Sequence, residues 1–333
     1  MVLRAFAVNV GLLCGTVLLF FGGIESVLRL TGLVIMQDYT PPIYERSDNP
    51  DISYRLKPNI RERAFRNTIA TNGLGFRSPE IDTTKPLLVV LGDSIAFGYG
   101  VANNETLSAN LQTLLPSYDI QNAGVPGYNI RQEAALYKES IAPLDPKALI
   151  LVLYWNDFDR SLSWLDEKNV LRPKGWVPQE KQCDPIKRGL LGRIPGRCFL
   201  DLHSALYRIV KGFVNTRSAT QERDAKRREE VATNNSEETN MFVQDLAAYE
   251  HELSLLSSRA PQERLFVMWP DATDLHSDER KELARIAKKN GFAVLDLYDH
   301  FGNTMETLDW DYIHPSPAAL VQAATIIHDA LGL

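Results

Sequence analysis

Apolar and polar positions along this chain segregate into blocks that alternate between two periods. The runs at 87–91 (LLVVL) and 148–153 (ALILVL) contain no polar residue, the pattern of strands buried on both faces of a sheet. Shorter segments at 118–121, 265–269 and 292–297 predict three more strands. Helical periodicity lies between them. Residues 106–115 place Leu107, Leu111, Leu114 and Leu115 on one side, 130–141 reads as a second helix, and 277–289 as a charged, exposed one. The last helix has a good N-cap in Ser316 and Pro317 at its first position. Leu320, Ala323, Ala324, Ile327 and Leu331 then form one apolar stripe. Alternation of this kind specifies an α/β fold with a doubly wound parallel sheet. Five strands predict a flavodoxin-like, three-layer α/β/α arrangement.

The N-terminus follows neither period. Residues 5–24 (AFAVNVGLLCGTVLLFFGGI) carry no charge and one amide, Asn9, a length that matches the hydrocarbon core of a bilayer. A cleaved signal peptide has a shorter apolar region and a small-residue cleavage site. Gly22-Gly23-Ile24-Glu25-Ser26 is a poor site of that kind, and Cys14 follows Leu13 rather than a small residue. The segment reads as a transmembrane signal anchor, with 25–37 continuing helically beyond it. Arg4 and the α-amino group precede the span, while Glu25 and Arg29 follow it and nearly cancel. The N-terminus is therefore expected inside and the rest of the chain on the extracytoplasmic side of the cytoplasmic membrane.

Residues 38–85 are rich in proline, asparagine and charge. They read as an extended arm packing on the domain that follows, with a turn at 71–77. The main domain occupies 86–333 and is interrupted at about 158–240. The first part of that insertion holds Trp164, Trp176, Lys187, Arg188, Arg193 and Arg197, and 216–240 reads as a solvated helix or loop. The insertion enters from the loop after 148–153, where a cap over a substrate would sit. Cys183 and Cys198 close a loop of about 15 residues, and a bridge between them in an oxidising compartment would contribute about 3 kcal/mol.

Composition narrows the function classes. With 36 Lys+Arg against 42 Asp+Glu, a net charge of −6 and no basic stripe, a nucleic-acid partner is not expected. His203, His251, His276, His300 and His328 lack ligand-like spacing, so no metal is expected. No glycine-rich phosphate loop is present, and no cofactor is expected.

The candidate chemistry lies where the first apolar run stops, at Gly92-Asp93-Ser94. A hydroxyl there stands at the carboxyl end of a central parallel strand, where open α/β sheets bind ligands. A serine needs a base to become a nucleophile, and Asp311-Tyr312-Ile313-His314 offers one in the loop before the last helix. These two blocks, with Asn122-Ala123-Gly124-Val125-Pro126-Gly127-Tyr128-Asn129 and Tyr154-Trp155-Asn156-Asp157 between them, resemble the GDSL/SGNH hydrolase family in residues and order. The resemblance is direct at about four blocks within 86–320. It implies Ser94 as nucleophile, His314 as base and Asp311 as its orienting carboxylate. It further implies an oxyanion hole from the N–H groups of Ser94 and Gly124 and the Asn156 amide. The family usually has glycine where this chain has Tyr154, which alters the pocket. Asn-x-x-Gly-Phe-Arg segments like 72–77 precede the nucleophile strand in many membrane-anchored bacterial relatives. The expected function is a membrane-tethered serine esterase acting on acyl esters, among them acylated cell-surface glycans. Transfer of the acyl group to a polysaccharide hydroxyl would use the same residues. A non-catalytic binding or assembly role on this fold has only Tyr154 in its favour.

Overall fold

The computed structural model describes residues 2–31, 34, 40–158, 162–172, 194–214, 238–272 and 274–332. In chain order the strands are β1 (Tyr44–Arg46), β2 (Tyr54–Leu56), β3 (Arg61–Ala64), β4 (Asn67–Ala70), β5 (Leu87–Gly92), β6 (Asp119–Asn122), β7 (Ala148–Leu153), β8 (Trp164–Leu165), β9 (Leu171–Arg172), β10 (Glu263–Met268) and β11 (Ala293–Asp296). The helices are α1 (Val2–Leu30), α2 (Ser94–Phe97), α3 (Leu107–Leu114), α4 (Ile130–Leu136), α5 (Arg197–His203), α6 (205–214), α7 (Glu238–Ser257), α8 (Ser277–Lys289), α9 (Tyr298–Phe301) and α10 (Pro317–Leu331). Two compact units result, one of residues 1–40 with 177–215 and the other of 41–176 with 216–333.

The larger unit is built on a five-stranded sheet in the order β6-β5-β7-β10-β11, with every neighbouring pair parallel. This is the flavodoxin-like order, whose switch point falls between the first and third strands in sequence, here β5 and β7. Both of those strands are buried throughout, which is why they read as unbroken apolar runs. On one face Leu88, Val90, Ile150 and Val152 pack with Leu107 and Leu111 of α3 and Leu320, Ala323 and Ile327 of α10. On the other, α7 sets Tyr249 edge-on to Phe266 of β10 and packs against α4 and α8. The larger unit is thus a three-layer α/β/α fold.

Local signals set the ends of these helices. Thr106 accepts the Ala109 N–H, Ser316 accepts the Ala319 N–H, and Asn129 and Gln132 form a reciprocal capping box. The helix expected over 130–141 is α-helical only to Leu136. Tyr137–Ile141 continues as a wider, π-type turn. Helix α7 was not foreseen, because the charged 216–240 stretch disguised its start. Its apolar positions Leu246, Tyr249, Leu253 and Leu256 are nevertheless on a buried face.

The segment expected to be extended contains two antiparallel hairpins, β1–β2 and β3–β4. It is bonded to the sheet's loops: Tyr54 Oη donates to Pro126 O at 2.8 Å, Tyr128 Oη donates to Tyr54 O, and Asn72 Nδ2 donates to Gln121 Oε1 at 2.9 Å. Arg77 is 2% exposed. Its guanidinium donates to the carbonyls of Phe97, Gly98 and Val101 at 3.0, 2.6 and 2.7 Å and to Asn103 Oδ1 at 2.9 Å.

The stretch expected as a single insertion at 158–240 is divided between the two units: β8–β9 belongs to the larger, α5 and α6 to the smaller. Residues 173–193 and 215–237 lie outside the described residues. These include Cys183, Trp176, Lys187, Arg188, Arg193 and nearly all of the charged 216–240 segment. Cys198 is disulfide-bonded and Cys14 is a free thiol. In the smaller unit α1 is one continuous helix, and residues 6–30 are long and apolar enough to cross a membrane, with a mean hydropathy of 2.0. The Glu25 carboxylate accepts the N–H groups of Ala205 at 2.7 Å and Leu206 at 3.0 Å and the Ser204 hydroxyl at 3.1 Å. It thereby caps the start of α6.

Arg77→Ala leaves the Val101 carbonyl without a donor among the described residues and takes a charged donor from those of Phe97 and Gly98, which keep Asn122 Nδ2 at 3.3 Å and the Val101 N–H at 3.4 Å. The expected loss is about 3 kcal/mol of unfolding free energy, read as a lowered urea midpoint.

Candidate active site

Strand β5 ends at Gly92, and the chain turns at once into α2. No side chain fits at residue 92, since a Cβ there would lie 2.7 Å from Val152 O and 2.9 Å from the Ala96 Cβ. Asp93 caps the short helix, its Oδ1 accepting the Ile95 N–H at 2.8 Å. Ser94 therefore occupies the first helical position, where the backbone N–H has no intrahelical acceptor.

His314 arrives from the loop before α10. Its Nε2 is 2.9 Å from Ser94 Oγ, and its Nδ1 is 2.8 Å from Asp311 Oδ2. Asp311 Oδ1 accepts the N–H groups of Ile313 at 2.7 Å and His314 at 3.1 Å, which locks the carboxylate within its own loop. With Asp311 as acceptor, the proton sits on Nδ1 and Nε2 is left to accept from Ser94. Burial works against the Asp311 charge. The hydrogen bond and charge of His314, with the two backbone N–H groups, outweigh it and hold the carboxyl below its ordinary value.

The imidazole is gripped on its face as well. Tyr99 stacks on it at 4.1 Å and 23°. Phe65 and Trp310 back Tyr99 at 4.3 and 5.8 Å, and Arg66 lies 4.1 Å over Trp310. Phe65 and Arg66 form the tip of the β3–β4 hairpin, both at positive φ, so the arm supplies one wall of the site. Sequence reasoning missed this wall. Its signal was the aromatic residue inside the Gly98-Tyr99-Gly100 turn.

Asn156 follows β7 and is exposed in the turn Trp155–Phe158. Its side chain hydrogen-bonds Asp93, the carboxylate that Ser94 Oγ also approaches at 3.2 Å. An amide has two N–H donors, so one remains for a ligand. The turn is clamped from the neighbouring loops: Trp155 stacks on His276 at 3.6 Å and donates Nε1–H to Tyr298 Oη at 2.7 Å. Tyr154, where the family has glycine, is buried, with Asp271, Asp93, Tyr298 and Asp311 in its electrostatic surroundings.

Gly124 has a different use from the one expected of it. Its N–H donates to Asn122 Oδ1 at 3.0 Å. A Cβ there would meet Phe97 N at 2.2 Å, so this glycine permits backbone contact with the nucleophile turn. Three residues on, Gly127 is exposed at φ +81°, and its N–H has no protein acceptor among the described residues.

Two further carboxyls, Glu133 and Asp157, are fully buried behind Asp93. Desolvation first, then the Asp93 charge, pushes both well up, and for Asp157 the Glu133 carboxyl adds to the rise. Neither Glu133 oxygen has a partner among the described residues. Its sequence signal was an acid three residues after Ile130, on the buried face of α4. Among the described residues no group of three His, Cys, Asp or Glu is placed to hold a metal.

A hydroxyl, an imidazole and a carboxylate in line, on a parallel α/β sheet, define a serine-hydrolase arrangement. Residues 90–319 match the GDSL-like Lipase/Acylhydrolase family, and the chain belongs to it. Similar solved structures include TesA (15% identity, TM-score 0.42, covering 74% of this chain and 97% of that one). The lipase/acylhydrolase from Enterococcus faecalis shows 16% identity and a TM-score of 0.41, covering 74% and 96%. Axe2, an acetylxylan esterase from Geobacillus stearothermophilus, shows 16% identity and a TM-score of 0.40, covering 76% and 96%. No curated protein sequence matches the chain.

The depressed Asp311 pKa has a signed consequence. Its stabilising contribution is complete above the unfolded-state value of about 4 and is lost as pH falls through the lower folded value. Urea unfolding of wild type and Asp311→Asn is therefore expected to differ most near neutral pH and to converge in acid.

Proposed function

We propose that this protein is a membrane-tethered serine esterase that cleaves O-acyl esters through an acyl-enzyme on Ser94. The observation that carries this reading is the 2.9 Å contact between Ser94 Oγ and His314 Nε2, backed by Asp311 at 2.8 Å. Oγ attacks the ester carbonyl as its proton passes to Nε2, and Asp311 stabilises the imidazolium. The oxyanion is met by the Ser94 N–H and the free Asn156 amide N–H. The glycine donor is assigned to Gly127, because the Gly124 N–H is already spent on Asn122. Collapse expels the alcohol, which takes the proton from Nε2. Water then attacks the acyl-enzyme with His314 again as base.

Tethering is supported by the apolar span at 6–30 and by Glu25, whose cap on α6 makes the end of α1 part of a folded unit. An extracytoplasmic catalytic domain is supported by Arg4 ahead of the span and by the bridged Cys198. A surface glycan bearing acyl esters is the substrate class that such a tether suits.

The test is p-nitrophenyl acetate hydrolysis by the full-length protein in detergent, with and without an acylated or free polysaccharide. Ser94→Ala is expected to abolish turnover, and Asn156→Ala to lower it by about 100- to 1,000-fold. Equal turnover by wild type and folded Ser94→Ala would overturn the esterase reading. Serine-dependent appearance of acetate on the polysaccharide would reassign the reaction to acyl transfer.

A further inference from the structure

The smaller unit combines a buried ion pair with an exposed apolar stripe. Lys211 Nζ contacts both Asp201 carboxylate oxygens, at 3.0 and 3.1 Å, and both side chains are buried. On the outside, Phe199 is 64% exposed, and Val210, Phe213 and Val214 are exposed with it. Leu206, Val210, Phe213 and Val214 recur along α6 at the spacing of a single apolar stripe. A unit surrounded by water would place this stripe inward and leave the ion pair at the surface.

The position of the stripe identifies what covers it. Glu25 accepts the first N–H groups of α6, Arg29 Nε donates to Glu25 Oε1 at 2.7 Å, and the Arg29 guanidinium also donates to His203 O. Glu25 and Arg29 are in the last turns of the span at 6–30. The α5–α6 pair is thereby fastened at the mouth of that span, where the acyl chains give way to headgroups. Helices in that zone lie with an apolar face sunk about 5–10 Å into the headgroup boundary and polar groups turned away.

We propose that α5 and α6 form a second membrane contact, an interfacial foot whose Phe199 and Phe213 side chains enter the bilayer around the α1 anchor. The proposal rests on the anchor reading and goes beyond it: the chain engages lipid at two places about 180 residues apart in sequence, as the Glu25 bonds to 205 and 206 require. A foot of this kind fixes the tilt of the smaller unit, which a single helix leaves free to rotate.

The full-length protein in phosphatidylcholine–phosphatidylglycerol vesicles tests it. Tryptophan is introduced singly by Phe213→Trp, Leu18→Trp or Val321→Trp, and emission is compared with the parent in ordinary and acyl-brominated lipid. Quenching at 213 and 18 but not at 321, an exposed position on α10, supports the foot. Quenching at 18 without quenching at 213 leaves the anchor standing and overturns the foot. No quenching at either position overturns both. Emission at 213 that depends on protein concentration but not on bromine assigns the stripe to a second copy of the chain and also overturns the proposal.

Discussion

The active site depends on backbone packed directly against backbone at the end of β5. Gly92 lies against the Val152 carbonyl of β7, and Gly124 lies against the amide of Phe97, at separations that admit no Cβ. These two contacts draw the loops after β5, β6 and β7 together at the sheet's switch point. Arg77 then holds the far side of the nucleophile turn through three of its carbonyls. Ser94 needs little support of its own, because the turn that presents it has no room to move.

Charge at the site is divided by what surrounds each carboxyl. Asp311 is largely buried but has a cation-forming partner and two N–H donors, so it stays ionised and can orient His314. Asp93 is buried too, and desolvation raises its pKa against the pull of Ile95, His314, Asn156 and Ser94. Glu133 and Asp157 have fewer donors and sit higher still. The carboxyl at the mouth is thus pulled toward its charged form, and those beneath it toward their protonated forms. The aromatic ring of Tyr99 closes the remaining face of the imidazole and limits its rotation.

The smaller unit is where the proposed membrane contact lies. Its Lys211–Asp201 pair is buried while Phe199 and Phe213 are exposed, an arrangement in keeping with the proposed interfacial foot. Glu25 joins α1 to the start of α6. It is an acidic residue at the end of an apolar helix, and its charge is offset by the unpaired N–H groups at the start of α6 and by Arg29.

The strand sequence, the sheet class, the last helix with its cap and the triad candidates were all legible in the chain itself. Each rests on local periodicity or on a short block with its own turn chemistry: unbroken apolar runs for β5 and β7, Ser316-Pro317 for α10, Gly-Asp-Ser for the nucleophile turn. The hairpins within 41–85 were not legible, because they are three- and four-residue strands whose order comes from bonds to Pro126, Gln121 and the nucleophile turn. Nor could sequence distinguish Gly124 from Gly127, since which N–H is free depends on where Asn122 points. The division of the 158–240 stretch was equally hidden, for a carboxylate at position 25 declares its partners at 204–206 only when the chain has folded. Local pattern thus determined the elements and the chemistry available. Tertiary contact decided which donors are spent, which acids are charged and which apolar faces remain uncovered, because each of those depends on neighbours distant in sequence.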